Sequence, residues 1–336
     1  MTTLDRFEEK FAAFYIALLV FAVFLNGVCL IGLTRKHHKR RFRDHLFISM
    51  SICDLLRICL TAPMEIRGLL QHSLVGEESA CRPIAFFMYM FEFTSISHLF
   101  LIVGDRYICT CKPTLALELY LNHSTIYKAM AYSYSIGVFW AVLPLIGIGQ
   151  YGFQIHNIQC GLKPLHDAKS KVYITFLLIF LYLIPFSVAL FCYYKVWKKT
   201  KSQAADIVTV DNNNEDGKEL YEYFVKDHKQ LKLILALLLT FVFTWFLYDV
   251  TMFEEIYVDG EANAYLEIVS TFIGQSSAVI VPLVMLCLYT DLRKSLARMV
   301  IDGKKNSARE TRFSTRNSRV VPALSSVGNG KNMTAM

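Results

Sequence analysis

Seven long apolar blocks dominate this chain, at about 12–34, 45–69, 81–110, 128–149, 171–196, 230–256 and 262–288. A bilayer core about 30 Å thick needs roughly 20 residues of helix to cross it, and every block is long enough. Hydrocarbon supplies no hydrogen-bond partner, so a crossing backbone must satisfy its own donors and acceptors, which these uninterrupted runs do as helices. The expected fold is therefore an all-α membrane protein, a seven-transmembrane helix bundle. Composition agrees. The 336 residues are 54% hydrophobic and 19% charged, where a soluble domain carries about 25% charge.

Lysine and arginine orient the bundle. Arg35, Lys36, Lys39, Arg40, Arg41 and Arg43 fill the first connection, and the fifth-to-sixth loop and the tail hold most of the other basic residues. The opposite side keeps few, such as Arg6, Lys10 and Lys163. The positive-inside rule then puts the amino terminus outside and the tail in the cytosol of a multi-pass cell-membrane protein. The net charge of +7 belongs to the membrane surface and points to lipid rather than nucleic acid. No cleavable signal peptide is evident, and the first apolar block is expected to act as its own insertion signal.

Of nine cysteines, Cys81 and Cys160 fall on the outer side. That side is oxidising, so a disulfide between them is expected. No Cys/His spacing suggests a metal site. The fifth-to-sixth loop, about 198–228, contains Asp211-Asn212-Asn213-Asn214-Glu215-Asp216-Gly217, a composition that favours flexibility. Residues 290–300 place apolar side chains at helical spacing among basic ones, as in an amphipathic helix lying on a membrane. From 301 the tail is polar and expected to be disordered. No inverted repeat is visible, which argues against a secondary transporter.

Several residues, each in the appropriate span, resemble the rhodopsin-like (class A) G-protein-coupled receptors. They are Asn26, Asp54, Cys81, Asp105-Arg106-Tyr107, Pro185, Tyr193, Phe241, Trp245 and Pro282. Within that family the chain looks like an opsin. Asp105-Arg106-Tyr107-Ile108-Cys109-Thr110-Cys111-Lys112-Pro113 resembles the opsin end of the third helix. Phe139-Trp140-Ala141-Val142-Leu143-Pro144-Leu145-Ile146-Gly147, with Tyr151 and Cys160 beyond, is similar to retinochrome-type photoisomerase opsins. Gln275-Ser276-Ser277-Ala278 matches the opsin seventh helix except at its first residue, where the family has the retinal-bearing lysine. An amide is not a usable nucleophile toward an aldehyde, so covalent retinal is not expected, while non-covalent retinoid binding stays open.

The resemblance implies an activation switch. In it Arg106 pairs with Asp105 and with an acid on the sixth helix, for which Asp227 stands in the right place. On activation Arg106 swings toward a G protein, supported by Tyr193. Asp54 implies a polar water or sodium cluster reaching Pro282 in the seventh helix. Val281, Met285 and Leu247 depart from the family's Asn, Tyr and Pro, which removes half of that cluster and one kink. For the pocket, Glu92, Asp249, Trp245, Met88 and Gln275 are the expected ligand-binding residues. Two readings stand equally: a buried Arg57–Glu92 pair that only fixes helix packing, or Glu92 or Asp249 binding a cationic or hydrogen-bonding ligand. His98 reads as a packing residue. The family counterion positions hold Ile84 and Gln154, so Gln275→Lys is expected to give at most an ultraviolet-absorbing pigment unless Glu92 or Asp249 serves.

The reading is a receptor domain over 12–300, an outer segment over 1–11 and a tail over 301–336. It is not an enzyme. It transmits a non-covalent ligand signal or constitutive activity to a heterotrimeric G protein, with arrestin and a receptor kinase at the tail. A retinoid-binding or retinoid-isomerising protein with little signalling is the alternative.

Overall fold

A computed structural model describes residues 3–35, 40–71, 78–122, 124–154, 159–163, 165–208, 215–258 and 264–305, with backbone alone for 3–9, 78, 203–208, 215–228 and 264. The chain runs α1 (Thr3–Thr34), α2 (Phe42–Gln71), α3 (Glu78–Cys111), α4 (Pro113–Leu121), α5 (Ser124–Val142), β1 (Tyr151–Gln154) and β2 (Gln159–Leu162). It continues through α6 (Ala168–Leu177), α7 (Ile184–Val208), α8 (Glu215–Tyr257), α9 (Ala264–Gln275) and α10 (Ser277–Leu288). A last helix, α11, covers residues 290–305.

Seven helical stretches among the described residues are long and apolar enough to span a membrane: Lys10–Thr34, Phe42–Gln71, Ser79–Cys111, Ser124–Ile146, Ala168–Ser202, Lys229–Tyr257 and Tyr265–Leu288. They coincide with the blocks read from sequence. The helices also run further than the apolar runs. Helix α1 already begins at Thr3, inside the expected outer segment, and α7 and α8 reach into the expected loop as far as Val208 and Glu215. Lys, Gln, Glu and Ala there are good helix formers, and hydropathy alone does not register them. The expected flexible run at 211–217 lies partly, and the tail beyond 305 wholly, outside the described residues.

Helix α3 is the axis, with 72% of its apolar window buried, against 22% for the fifth span. Close approach to α5 depends on Gly137, where a Cβ would sit 2.6 Å from the Met90 carbonyl and closer still to Thr94 Oγ1. Small residues at such crossings let backbones touch in a membrane. The β1–β2 hairpin pairs Phe153 with Cys160 and closes one end of the bundle. The expected disulfide joins Cys81 of α3 to Cys160 of β2, with Cα atoms 5.2 Å apart. Tyr151 stacks on Tyr89 below it, ring centroids 5.6 Å apart.

Prolines shape two spans. Between α6 and α7, Leu178–Leu183 form a π-helical turn just before Pro185, which has no N–H to continue the α ladder. The seventh span breaks at Ser276, whose N–H is shared between the Phe272 and Ile273 carbonyls. Pro282 further on frees the Ala278 carbonyl, four residues back. Asn26 of α1 fills that vacancy, donating from Nδ2 at 2.8 Å while also reaching the Ala22 carbonyl at 3.0 Å. Asn26 is 1% exposed, so its amide has no access to water.

Asn26→Leu keeps the volume and strands the Ala278 carbonyl. The expected cost is about 1–3 kcal/mol, read as a lower melting temperature in detergent. Unchanged melting would mean that carbonyl has another partner.

Candidate functional site

Three small cavities meet around Glu92. The first, about 30 Å³, is lined by Glu92, Tyr89, Tyr182, Trp245, Tyr248 and Asp249, among others. The second, about 20 Å³, touches Arg57, Met88, Glu92, Trp245 and Gln275. The third, about 30 Å³, lies deeper, between Asp54, Glu92, Ser95, Ser277 and Val281. Each has room for a water or two. The residues expected in a pocket thus come together: Met88, Glu92, Trp245 and Gln275 share one cavity, and Asp249 shares its neighbour with Glu92 and Trp245. Asp249 has no hydrogen-bond or ion-pair partner among the described residues, and the buried Trp245 Nε1 has none either. Tyr89 and Tyr248 join hydroxyls at 2.8 Å across the top, and the Leu162 N–H of β2 donates to Tyr89.

Arg57 is the charge at the centre. Its Nη2 lies 3.5 Å from Asp54 Oδ1, and its Nε lies 3.4 Å from Glu92 Oε2. The pair of Arg57 with Glu92 exists, as the packing reading required, and it extends to Asp54. Asp54 therefore meets an arginine of its own helix as its cation. Both contacts are longer than the roughly 2.7–2.9 Å of a charge-assisted hydrogen bond, so the attraction is Coulombic rather than a formed bond. Two carboxylates share one guanidinium, and all three groups are buried.

Gln275 ends α9 at the break in the seventh span and is 6% exposed. Its amide has a partner at each end. Nε2 donates to Glu65 Oε1 at 2.8 Å, and Oε1 meets the Tyr15 hydroxyl. That hydroxyl also donates to Glu65 Oε2, and Thr61 donates to the same oxygen at 3.2 Å. One network thus ties the first, second and seventh spans. Neither Glu65 nor Tyr15 was picked out by sequence reasoning. An acid inside an apolar block was the available signal for Glu65, and Tyr15 gave none.

At the opposite end of the bundle, the expected pairing of Arg106 with Asp105 is replaced. Asp105 accepts from Tyr120 of α4 at 2.5 Å and faces Arg43 at 3.9 Å. Neighbouring residues on a helix point apart, so Asp105 turns to α2 and α4 while Arg106 turns to α8. There Arg106 meets Gln230, and it reaches Thr110 at 3.3 Å. Asp227 lies one turn from Gln230, with its side chain outside the described residues. Tyr107 and Tyr193 are half-buried. Arg43 donates to Tyr289 at 3.3 Å, and Tyr289 donates to Asp44. Burial, and then the adjacent Asp105 charge, raise the Tyr120 phenol well above its ordinary pKa. His98 packs at 0% exposure against the Thr94 carbonyl at 2.6 Å, as expected. No metal-binding cluster occurs among the described residues.

The chain matches the family described as 7 transmembrane receptor (rhodopsin family) over residues 25–284. Opsin-5 of Mus musculus is 24% identical over 278 residues, covering 81% of this chain and 72% of the relative. Retinochrome of Todarodes pacificus is 27% identical over 211 residues, 59% of this chain and 66% of the relative. The crystal structure of squid rhodopsin superposes with a TM-score of 0.77 at 17% identity, covering 88% of this chain and 85% of that one.

Arg57→Met leaves Asp54 and Glu92 buried with no cation between them. A loss of about 3–5 kcal/mol is expected, seen as a large drop in melting temperature and in folded yield. Adding Asp54→Asn and Glu92→Gln should recover much of it. If the triple variant is no better than the single one, the charge triad is not what Arg57 supports.

Proposed function

This chain belongs to the rhodopsin family of seven-transmembrane receptors, and on that premise we propose that it is an opsin-derived receptor working without covalent retinal. It carries a non-covalent ligand signal, or its own constitutive activity, to a heterotrimeric G protein. The family is one of receptors rather than enzymes, and the relatives are opsins. One observation carries the reading: the group facing the pocket at the expected attachment position is the Gln275 amide, held by Glu65 and Tyr15. Lysine is not buried anywhere among the described residues. The residues present therefore do not fit a retinal held by an imine.

The ligand site is the space around Glu92, Trp245 and Asp249, with Met88 and Gln275 at its border. A preformed pocket for a drug-sized molecule has about 300–1,000 Å³, far more than these water-sized cavities. A small polar ligand that moves Trp245 or Tyr248 suits them better than a retinoid, which counts against the isomerase alternative. Asp105, Arg106, Tyr107, Tyr193 and Asp227, on the cytosolic side by the positive-inside rule, form the switch together with Asp54 and Pro282 deeper in the bundle. A ligand with different affinity for two helix arrangements shifts their populations and so the exposure of Arg106. Arrestin and a receptor kinase would act on the tail.

Membranes bearing the receptor, incubated with several retinal isomers, should give no absorbing pigment and no adduct that survives denaturation. G-protein turnover should be the same in light and dark and be abolished by Arg106→Ala. A covalent retinal adduct on the native chain would end this reading.

A further inference from the structure

The three cavities around Glu92 hold more acid than base. Asp54, Glu92 and Asp249 line them, and among the described residues Arg57 is the one cation on their walls. Arg57 lies between Asp54 and Glu92, so its charge is already divided between two carboxylates. Asp249 receives none of it and has no hydrogen-bond or ion-pair partner among the described residues. A carboxylate inside a span is costly unless a cation or a donor meets it. Nothing in the protein does so here.

The wall beside Asp249 favours one kind of partner. Its cavity is bordered by the rings of Tyr89, Tyr182, Trp245 and Tyr248. Aromatic faces are negative and attract a cation. The Tyr89 and Tyr248 hydroxyls are bonded to each other, so these residues offer mainly their rings. A hard metal ion takes about six or more oxygen ligands, whereas this wall has two carboxylates among rings and aliphatic chains. The cavity has about 30 Å³, room for a water or two, which excludes a bulky amine. Trp245 is 9% exposed and its buried Nε1 has no partner, which leaves a donor for an oxygen on the same ligand.

We propose that the ligand of this site is a small primary ammonium ion, its charged head against Asp249 and its carbon toward the rings. The inference rests on the reading that the space around Glu92, Trp245 and Asp249 is the ligand site, and it adds the charge the ligand brings and the acid that meets it. Glu92 is the weaker candidate because Arg57 already faces it. Asp249 is four residues from Trp245 on α8, so the two share a helix face. Trp245 in turn packs against Gly274, where an added Cβ would come 3.1 Å from the ring. A cation at Asp249 therefore bears on the side chain that touches the seventh span beside its break.

Methylammonium is the smallest probe with the required head. Purified receptor is melted in detergent with methylammonium chloride on the order of 10–100 mM, since so few atoms bind weakly, and with sodium chloride at the same ionic strength. A ligand that binds the folded chain raises its melting temperature. Methylammonium should raise it by several degrees over sodium, methanol at the same concentration should not, and Asp249→Asn should remove the rise. In sodium chloride alone Asp249→Asn should melt at or above the native temperature, because the carboxylate it replaces has no cation in the empty site. No rise with methylammonium, an equal rise with methanol, or a rise that survives Asp249→Asn would overturn the proposal. So would an Asp249→Asn chain that melts lower or fails to fold, since the acid would then be committed within the protein. Melting is read without a G protein, so this reading and the receptor reading fail separately.

Discussion

A lipid interior gives a polar group nothing to bond with, and the polar architecture of this bundle follows from that constraint. Many of the polar side chains placed inside a span find a partner in another part of the same molecule. Asn26 shows the logic at its simplest. Pro282 removes one N–H from the seventh helix, a carbonyl is left over, and a side chain from the first helix takes it at 2.8 Å. The kink and the contact between helices are one event.

The charged residues repeat this at higher stakes. Arg57 lies between Asp54 and Glu92 and links the second and third spans. Glu65 gathers donors from the first, second and seventh. Asp105, Arg43, Asp44, Tyr120 and Tyr289 do the same near the other end. The disulfide and the hairpin close the bundle above the first of these groups. The bundle is thus tied by polar crosslinks at three depths, with apolar packing between them. The pocket lies among the upper ties, which is why a change at Glu92 or Gln275 would be felt by helices that do not touch the cavity.

Much of this was legible beforehand. Length and hydropathy located seven spans within a few residues at most ends, and the outer cysteines predicted their bond. Glu92, Trp245, Met88 and Gln275 do line a common cavity. Other features were not legible. The pairing of Arg106 with Asp105 was implied by the family resemblance, yet consecutive residues on a helix face about 100° apart and find different neighbours here. Glu65 was passed over, although it is an acid in an apolar block. Nothing in the sequence marked Tyr15. Helix extensions past the membrane escaped notice because their residues are polar and helix-forming at once.

The sequence by itself determined depth: which residues lie in the membrane, roughly how far down, and that position 275 carries an amide in place of an amine. Depth is one coordinate, set by the 1.5 Å rise per residue of any helix. Only the tertiary structure decided direction and partnership, because the rotation of each helix about its axis depends on how all seven pack together. That rotation turns Arg57 toward two acids, leaves Asp249 alone at a cavity wall, and brings Glu65 of the second span against Gln275 of the seventh.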